Sequence, residues 1–206
     1  MIKLQDIPII VIHLQSRVDR FLWITQHLLD NKFPPYKIFA ATNDEDGVVG
    51  LLYTMTSVMK GLMDSDYPYV LVMEDDAEVI TTLPERKINA ALADLNGDFD
   101  LLYLGCNLER PDSKKHTDNT IKIFTAKAAH AIIYSRPGIQ KTLERLLAMD
   151  SPIPYDELLI DVQRDSNSFA TSKLIFGQIA GHSDIQKKSV NYNNMLKTRF
   201  KKNAPK

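Results

Sequence analysis

Short apolar runs alternate along the chain with stretches of helical periodicity. Residues 7–14, "IPIIVIHL", form a nearly continuous apolar run and read as a buried strand. Phe21, Ile24, Leu28 and Leu29 then recur at helical spacing across 18–31. "YKIFAA" (36–41) reads as a second strand. Residues 47–66 form a helix whose apolar stripe is Leu51, Leu52, Met55, Val58, Met59 and Leu62. "YPYVLVME" is a third strand, and Pro68 suits its first residue. A helix over 84–95 is entered through Pro84, and "DFDLLYLG" (98–105) is a fourth strand. The order β-α-β-α-β-α-β predicts an α/β fold with a mostly parallel sheet flanked by helices.

Later segments are more mixed. Residues 109–120, "ERPDSKKHTDNT", are polar and rich in helix and strand breakers, and read as a mobile loop that closes over a ligand. "KIFTAKAAHAIIYS" reads as paired strands. Ser135 with Pro137 marks a helix start, "SPIPYDELLIDVQRD" a turn into a short helix, and "FATSKLIFGQ" a last strand. No repeat or low-complexity linker divides the chain, so a single domain is expected over 1–186, followed by a basic tail over 187–206.

The totals narrow the classes. With 206 residues, 44% of them hydrophobic and 25% charged, the chain suits a compact globular domain. No apolar run approaches the roughly 20 residues of a membrane span. The start reads as a strand and not as a signal peptide. Cys106 is the only cysteine, which excludes an internal disulfide and a cysteine metal cluster. These features predict a cytoplasmic protein. A net charge of −1 argues against a nucleic-acid partner. After Asp184, however, the charged residues are Lys187, Lys188, Lys197, Arg199, Lys201, Lys202 and Lys206. This tail reads either as a solvated terminus or as a contact for phosphates or an anionic membrane surface.

The densest chemistry is "VLVMEDDAEV" (70–79), where a buried strand runs straight into Glu74, Asp75 and Asp76. In a parallel α/β sheet, ligands bind beyond the carboxyl ends of the strands. Adjacent acids there suit a hard divalent cation, Mn²⁺ or Mg²⁺, that shares its shell with substrate phosphates. E-D-D also matches the loose D-x-D signature of nucleotide-sugar transferases; the plain alternative is an acidic strand end. Bacterial receiver domains also use strand-end acids, but on their first strand, and here the cluster follows the third.

Seven segments in order resemble glycosyltransferase family 25. "VIHLQSRVDR" is similar to its opening N-L-x-x-R-x-D/E-R, matched by Leu14, Arg17, Asp19 and Arg20, with His13 in place of Asn. "IFAATND" looks like its second strand and turn. "GLLYTMTSVMKGLMDSDYPYVLVMEDDAEV" resembles G-C-x-x-S-H, a helix and L-E-D-D. "DFDLLYLG", "AAHAIIYSRPGIQKTL", "PYDELL" and "GQIAGHSDIQ" resemble its later segments. Together they cover about residues 7–186. The resemblance implies a GT-A fold, an inverting transfer from a UDP-sugar donor, and Mn²⁺ or Mg²⁺ as cofactor. Its acceptor would be a glycan, glycolipid or glycoprotein. It places His13, Leu14, Arg17, Arg20, Ala41, Asn43, Glu74 and Asp75 around the donor, and Asp76 and His182 on the metal, with a plain surface loop as the alternative for His182. The family's Ser-His pair falls on Thr54 and Met55, and its Cys on Leu51, which departs from the pattern and leaves a non-catalytic nucleotide-sugar-binding module as the alternative.

Inverting transfer needs a carboxylate to take the acceptor proton. Asp156, fixed at a helix start, is the candidate; plain N-terminal capping is its alternative. Glu157 and Asp161 are fallbacks. Arg17 and Arg20 suit donor phosphates or a helix-end salt bridge. His130, inside an apolar strand, is expected to be a satisfied core histidine, and His27 and His116 to be solvated.

Overall fold

The computed structural model describes residues 2–183, 188–191 and 193–205. In chain order its elements are β1 (Ile9–His13), α1 (Val18–Asp30), β2 (Tyr36–Ala40), α2 (Gly47–Met63), β3 (Tyr69–Glu74), β4 (Ala77–Val79) and α3 (Pro84–Leu95). Then come β5 (Leu101–Tyr103), β6 (Asn107–Leu108), β7 (Lys114–Lys115), β8 (Thr120–Lys122), β9 (Ala126–Lys127), β10 (Ala131–Ser135), α4 (Arg136–Leu147) and α5 (Tyr155–Arg164). The chain ends with β11 (Ser168–Thr171), β12 (Phe176–Gln178), β13 (Gly181–Ser183), β14 (Lys188–Val190) and α6 (Asn193–Asn203).

Eight strands form the main sheet in the order β2-β1-β3-β10-β5-β11-β8-β7. Strands β1, β2, β3, β5, β7 and β11 share one direction, and β10 and β8 run against it. The fold is therefore α/β, with a mixed, mostly parallel sheet and helices on both faces in a single domain. Strands β3 and β5 do not touch; β10 lies between them, antiparallel to both. A strand entering from the carboxyl end of its neighbours needs no crossover helix, and the β9–β10 connection does this.

Alternation along the strands builds two cores. Val70 and Val72 face the layer made by α2, α4 and α5, while Leu71 and Met73 face the layer made by α1 and α3. Helix starts follow their local chemistry. The Asp46 carboxylate accepts from Val48 N–H at α2, and the Ser135 hydroxyl accepts from Gly138 N–H at α4. Gly138 also admits a close approach, since a Cβ there would sit 2.1 Å from the Asp100 carbonyl oxygen. No helix among the described residues is long and apolar enough to cross a membrane.

Two expectations are corrected. Residues 109–120 are not a free loop. They contain β7, which pairs with β8, and Ser113 and Thr120 are buried. Thr125 Oγ1 donates to Asp112, and Glu109 pairs with Arg199. Polar residues of the segment bond to its neighbours, while Arg110, Lys114, Lys115, His116 and Asp118 stay exposed. The segment after 186 is likewise more than a solvated tail: α6 buries Leu196 and Phe200, while its lysines Lys197, Lys201 and Lys202 stay exposed. Asn193 Nδ2 donates to Glu78 at 2.8 Å, and Asn203 Nδ2 donates to the Leu108 carbonyl at 2.6 Å. Leu196 and Phe200 lie one turn apart, so a single apolar stripe under a basic face suffices to dock the helix.

Phe200→Ala is expected to destabilise the domain by roughly 3 kcal/mol, at the low end for a buried Phe→Ala change. Urea unfolding measures this, and an unchanged midpoint would show that α6 does not contribute to the folded core.

Candidate functional site

The acidic run begins at the last residue of β3. Glu74 N–H donates to the His130 carbonyl at 3.0 Å, the last rung before the strand opens into the turn to β4. Asp75 and Asp76 in that turn are buried, and Glu74 is half-buried. Buried carboxylates require counter-charge and hydrogen-bond donors. Both come from the first βα unit. At the end of β1, His13 Nδ1 lies 2.8 Å from Asp75 Oδ2; an ionised carboxylate only accepts, so Nδ1 carries the proton. From the start of α1, Arg20 NH1 lies 3.0 Å from Asp75 Oδ1 and 3.1 Å from Asp76 Oδ2. Gln178, on β12, approaches Asp76 Oδ1 at 3.4 Å.

Three acids against this guanidinium leave the cluster short of positive charge. Burial, then repulsion from Asp76 and Asp75, pushes the Glu74 carboxyl up to about 8, with Arg20 opposing. Asp76 is also raised, by burial first and by Asp75, against Arg20 and Gln178. Asp156, at the start of α5, adds a smaller repulsion on Glu74. Its own carboxyl is raised by burial, against Lys127 and a hydrogen bond from the Ala128 backbone. Ala128 has φ 68°, a left-handed conformation uncommon for a residue with a side chain, and it turns the chain between β9 and β10 beside Asp156.

A cleft of about 360 Å³ opens at the carboxyl ends of β1 and β2, lined by His13, Gln15, Val18, Phe21, Ile38 and Ala40. The His13 and Phe21 rings sit 5.4 Å apart in a tilted arrangement. The His13 carbonyl accepts from Ala41 N–H at 2.8 Å, which holds the two strand ends together. Leu14 and Ala41 are half-buried here, and Asn43 is exposed on the following turn. Arg17 pairs with Asp19 at 2.9 Å, and that hydrogen-bonded pair draws the Asp19 carboxyl down to about 2.

The structure therefore brings His13, Arg20, Glu74, Asp75 and Asp76 together, with Asp156 nearby. Arg20 contacts carboxylates, the salt-bridge alternative to phosphate binding. The fallback acids are paired: Glu157 with Lys127, and Asp161 with Arg145 and Arg164. The side chain of His182 lies outside the described residues. Thr54 and Met55, at the family's Ser-His positions, are buried. Thr54 Oγ1 donates to the Gly50 carbonyl at 2.7 Å and accepts from Thr42 N–H at 2.8 Å, so it braces the β2–α2 connection, while Met55 fills the core.

Two of the other histidines, His130 and His27, depart from expectation. His130 is buried, but neither ring nitrogen has a hydrogen-bond partner of good geometry among the described residues. Burial drives it down to about 4, against an opposing pull from the Phe176 carbonyl. His27 is not solvated: its Nε2 accepts from Val79 N–H at 2.8 Å and its ring stacks on Trp23. It thus ties α1 to β4, just past the acids. His116 is exposed, with its ring against Phe169. Gln178 and Lys127 are site residues that sequence reasoning missed. Each is a common polar residue brought in from a distant strand, with no local pattern to mark it.

For a divalent ion, no group of three His, Cys, Asp or Glu side chains converges among the described residues. Cys106 is buried and its thiol is pushed up to about 12 by burial. Glu74 and Asp76 nevertheless offer carboxylate oxygens under an excess of negative charge. That donor set fits a hard cation whose remaining ligands come from phosphate.

No family model and no curated protein matches the sequence. Among solved structures, the chain is similar to a mannose-1-phosphate geranyltransferase from Thermus thermophilus, with 12% identity, TM-score 0.44, and coverage of 87% of this chain and 76% of the other. It is also similar to a Drosophila beta-1,4-galactosyltransferase 7 mutant in complex with manganese, UDP-Gal and xylobiose, with 12% identity, TM-score 0.45, and coverage of 93% and 79%. A third is a nucleoside-diphosphate-sugar pyrophosphorylase from Vibrio cholerae, with 12% identity, TM-score 0.40, and coverage of 79% and 71%.

Because the folded protein holds a proton on Glu74 that the unfolded chain releases, stability falls as pH rises from about 4.5 towards about 8. Glu74→Gln removes this dependence. In metal-free buffer its melting temperature is expected to rise above wild type across that window, with little difference below pH 4.5. Parallel curves for the two proteins would contradict the buried repulsion.

Proposed function

We propose that this chain is a GT-A-type glycosyltransferase that moves a hexose from a UDP-sugar to a glycan acceptor with inversion, aided by Mn²⁺ or Mg²⁺. One observation carries the reading. Three carboxylates, Asp75 and Asp76 buried and Glu74 half-buried, stand at the carboxyl end of β3 beside a cleft at the ends of β1 and β2, and the Glu74 and Asp76 carboxyls are raised by burial and mutual repulsion. A fold with no use for a cation or a phosphorylated ligand has no reason to keep that repulsion.

In this reading the cleft beside His13 and Phe21 takes the uridine. Asp76, with Glu74, would hold the ion, which supplies charge neutralisation at the departing diphosphate. His13 and Arg20 fix Asp75, and through it the turn that carries Asp76. Asp156 accepts the proton of the attacking hydroxyl. Its raised pKa makes it a stronger base than a free carboxylate but demands that it be ionised, so transfer falls as pH drops through that value. Lys127 and the Ala128 N–H favour the ionised form. Leu14, Arg17, Ala41 and Asn43 line the donor side, and the acceptor is a free glycan or one carried on lipid or protein.

Asp156→Asn keeps the shape and removes the proton acceptor. Transfer is expected to fall by about 10²–10⁴-fold while UDP-sugar affinity in Mn²⁺ changes little. Asp76→Ala is expected to abolish both. Donor binding without any transfer by the wild-type protein, across a panel of glycan acceptors, would instead support a non-catalytic nucleotide-sugar-binding module. Near wild-type transfer by Asp156→Asn would remove Asp156 as the base.

A further inference from the structure

Between Asp75 and Asp76, beside the carboxylate read as the ion's main ligand, stands a positive side chain of the protein itself. A single guanidinium nitrogen, Arg20 NH1, contacts both carboxylates, at 3.0 and 3.1 Å, with the arginine and both acids largely out of solvent. Asp75 is fully engaged, with Oδ2 on His13 and Oδ1 on Arg20. Asp76 is not. Its Oδ2 rests on Arg20, and among the side chains of the described residues Oδ1 has the long 3.4 Å contact from Gln178. The weaker hold is therefore on the residue read as the metal ligand.

From this asymmetry the geometry points to Arg20 as an internal surrogate cation, a positioning residue that competes with the divalent ion for Asp76. Arg20 holds the acidic turn in place while no ion is bound, and yields Asp76 Oδ2 when one enters. Two cationic centres cannot share one carboxylate oxygen in a low-dielectric pocket without strong repulsion. The displaced guanidinium keeps Asp75 through one N–H of NH1 and offers the N–H that Asp76 gives up to phosphate, a group that guanidinium suits. Ion and donor diphosphate become thermodynamically coupled, because the ion releases the group that the diphosphate uses and the diphosphate gives the displaced charge a partner. This rests on the metal-dependent reading above, and it predicts an order that a rigid site would not show: weak binding of the ion alone and strong mutual reinforcement with a nucleoside diphosphate.

The test is calorimetric titration of Mn²⁺ into metal-stripped wild type and Arg20→Gln, each with and without UDP. Arg20→Gln is expected to bind Mn²⁺ alone at least about tenfold more tightly than wild type, a difference of about 1.4 kcal/mol. UDP is expected to strengthen Mn²⁺ binding far more in wild type than in the variant. A second measurement needs no variant. Phenylglyoxal labelling of wild type, read at Arg20 by mass spectrometry, should be slow in the metal-free protein, faster in saturating Mn²⁺, and slow again when UDP is added. Arg20→Gln binding Mn²⁺ no more tightly than wild type, or labelling that ignores Mn²⁺, would overturn the surrogate role. Absence of Mn²⁺ binding to wild type even with saturating UDP would instead overturn the metal-dependent reading itself.

Discussion

Everything at the carboxyl end of β3 depends on the repulsion among Glu74, Asp75 and Asp76. Carboxylates on adjacent residues at the edge of a core cannot all stay ionised without help, and the fold supplies that help from the first βα unit. His13 and Arg20 reach the same turn because β1 lies directly beside β3 in the sheet. With α1 following β1 immediately, the first basic residues of the helix are delivered to the strand-end acids. The parallel β1–β3 pairing is thus the mechanical basis of the electrostatics of this turn, and the neutralisation it gives is partial.

The second half of the chain completes the frame from the other side. Strand β10 holds the far edge of β3 and passes the Glu74 backbone its last hydrogen bond through His130. The β9–β10 turn presents Ala128 N–H to Asp156. Strand β12 pairs with β4 and brings Gln178 to Asp76. The site is therefore enclosed by segments far apart in sequence, and α6 closes behind them by burying Leu196 and Phe200.

Much of this was legible in advance. The strand-helix alternation up to residue 105 and the helix starts at Pro84 and Ser135 follow from periodicity and capping, which are local. The acids, His13 and Arg20 were visible as residue types at strand and helix ends. What remained hidden depends on tertiary contacts. The insertion of β10 between β3 and β5 leaves no mark on any short window of sequence. Residues 109–120 carry loop composition, yet β7 pairs with β8, and Asp112 and Glu109 are bonded. The α6 stripe is only two residues wide within a lysine-rich segment, so charge masks it. Arg20 was equally suited to a phosphate or a carboxylate, and only the packed α1 decides which one is at hand.

The late arrival of β10 has a consequence for how the protein is made. During synthesis β1, β2 and β3 can pair while one whole edge of β3, an almost wholly apolar strand, still waits for residues 131–135. Until about sixty further residues emerge at about 5–20 per second, that edge offers unpaired backbone groups to any extended chain nearby. The nascent protein passes through a window of several seconds in which its central strand is its most vulnerable surface. Strand-end acids that repel their copies on neighbouring chains then act as gatekeepers against stacking, a second use for a cluster whose repulsion the finished fold has to contain.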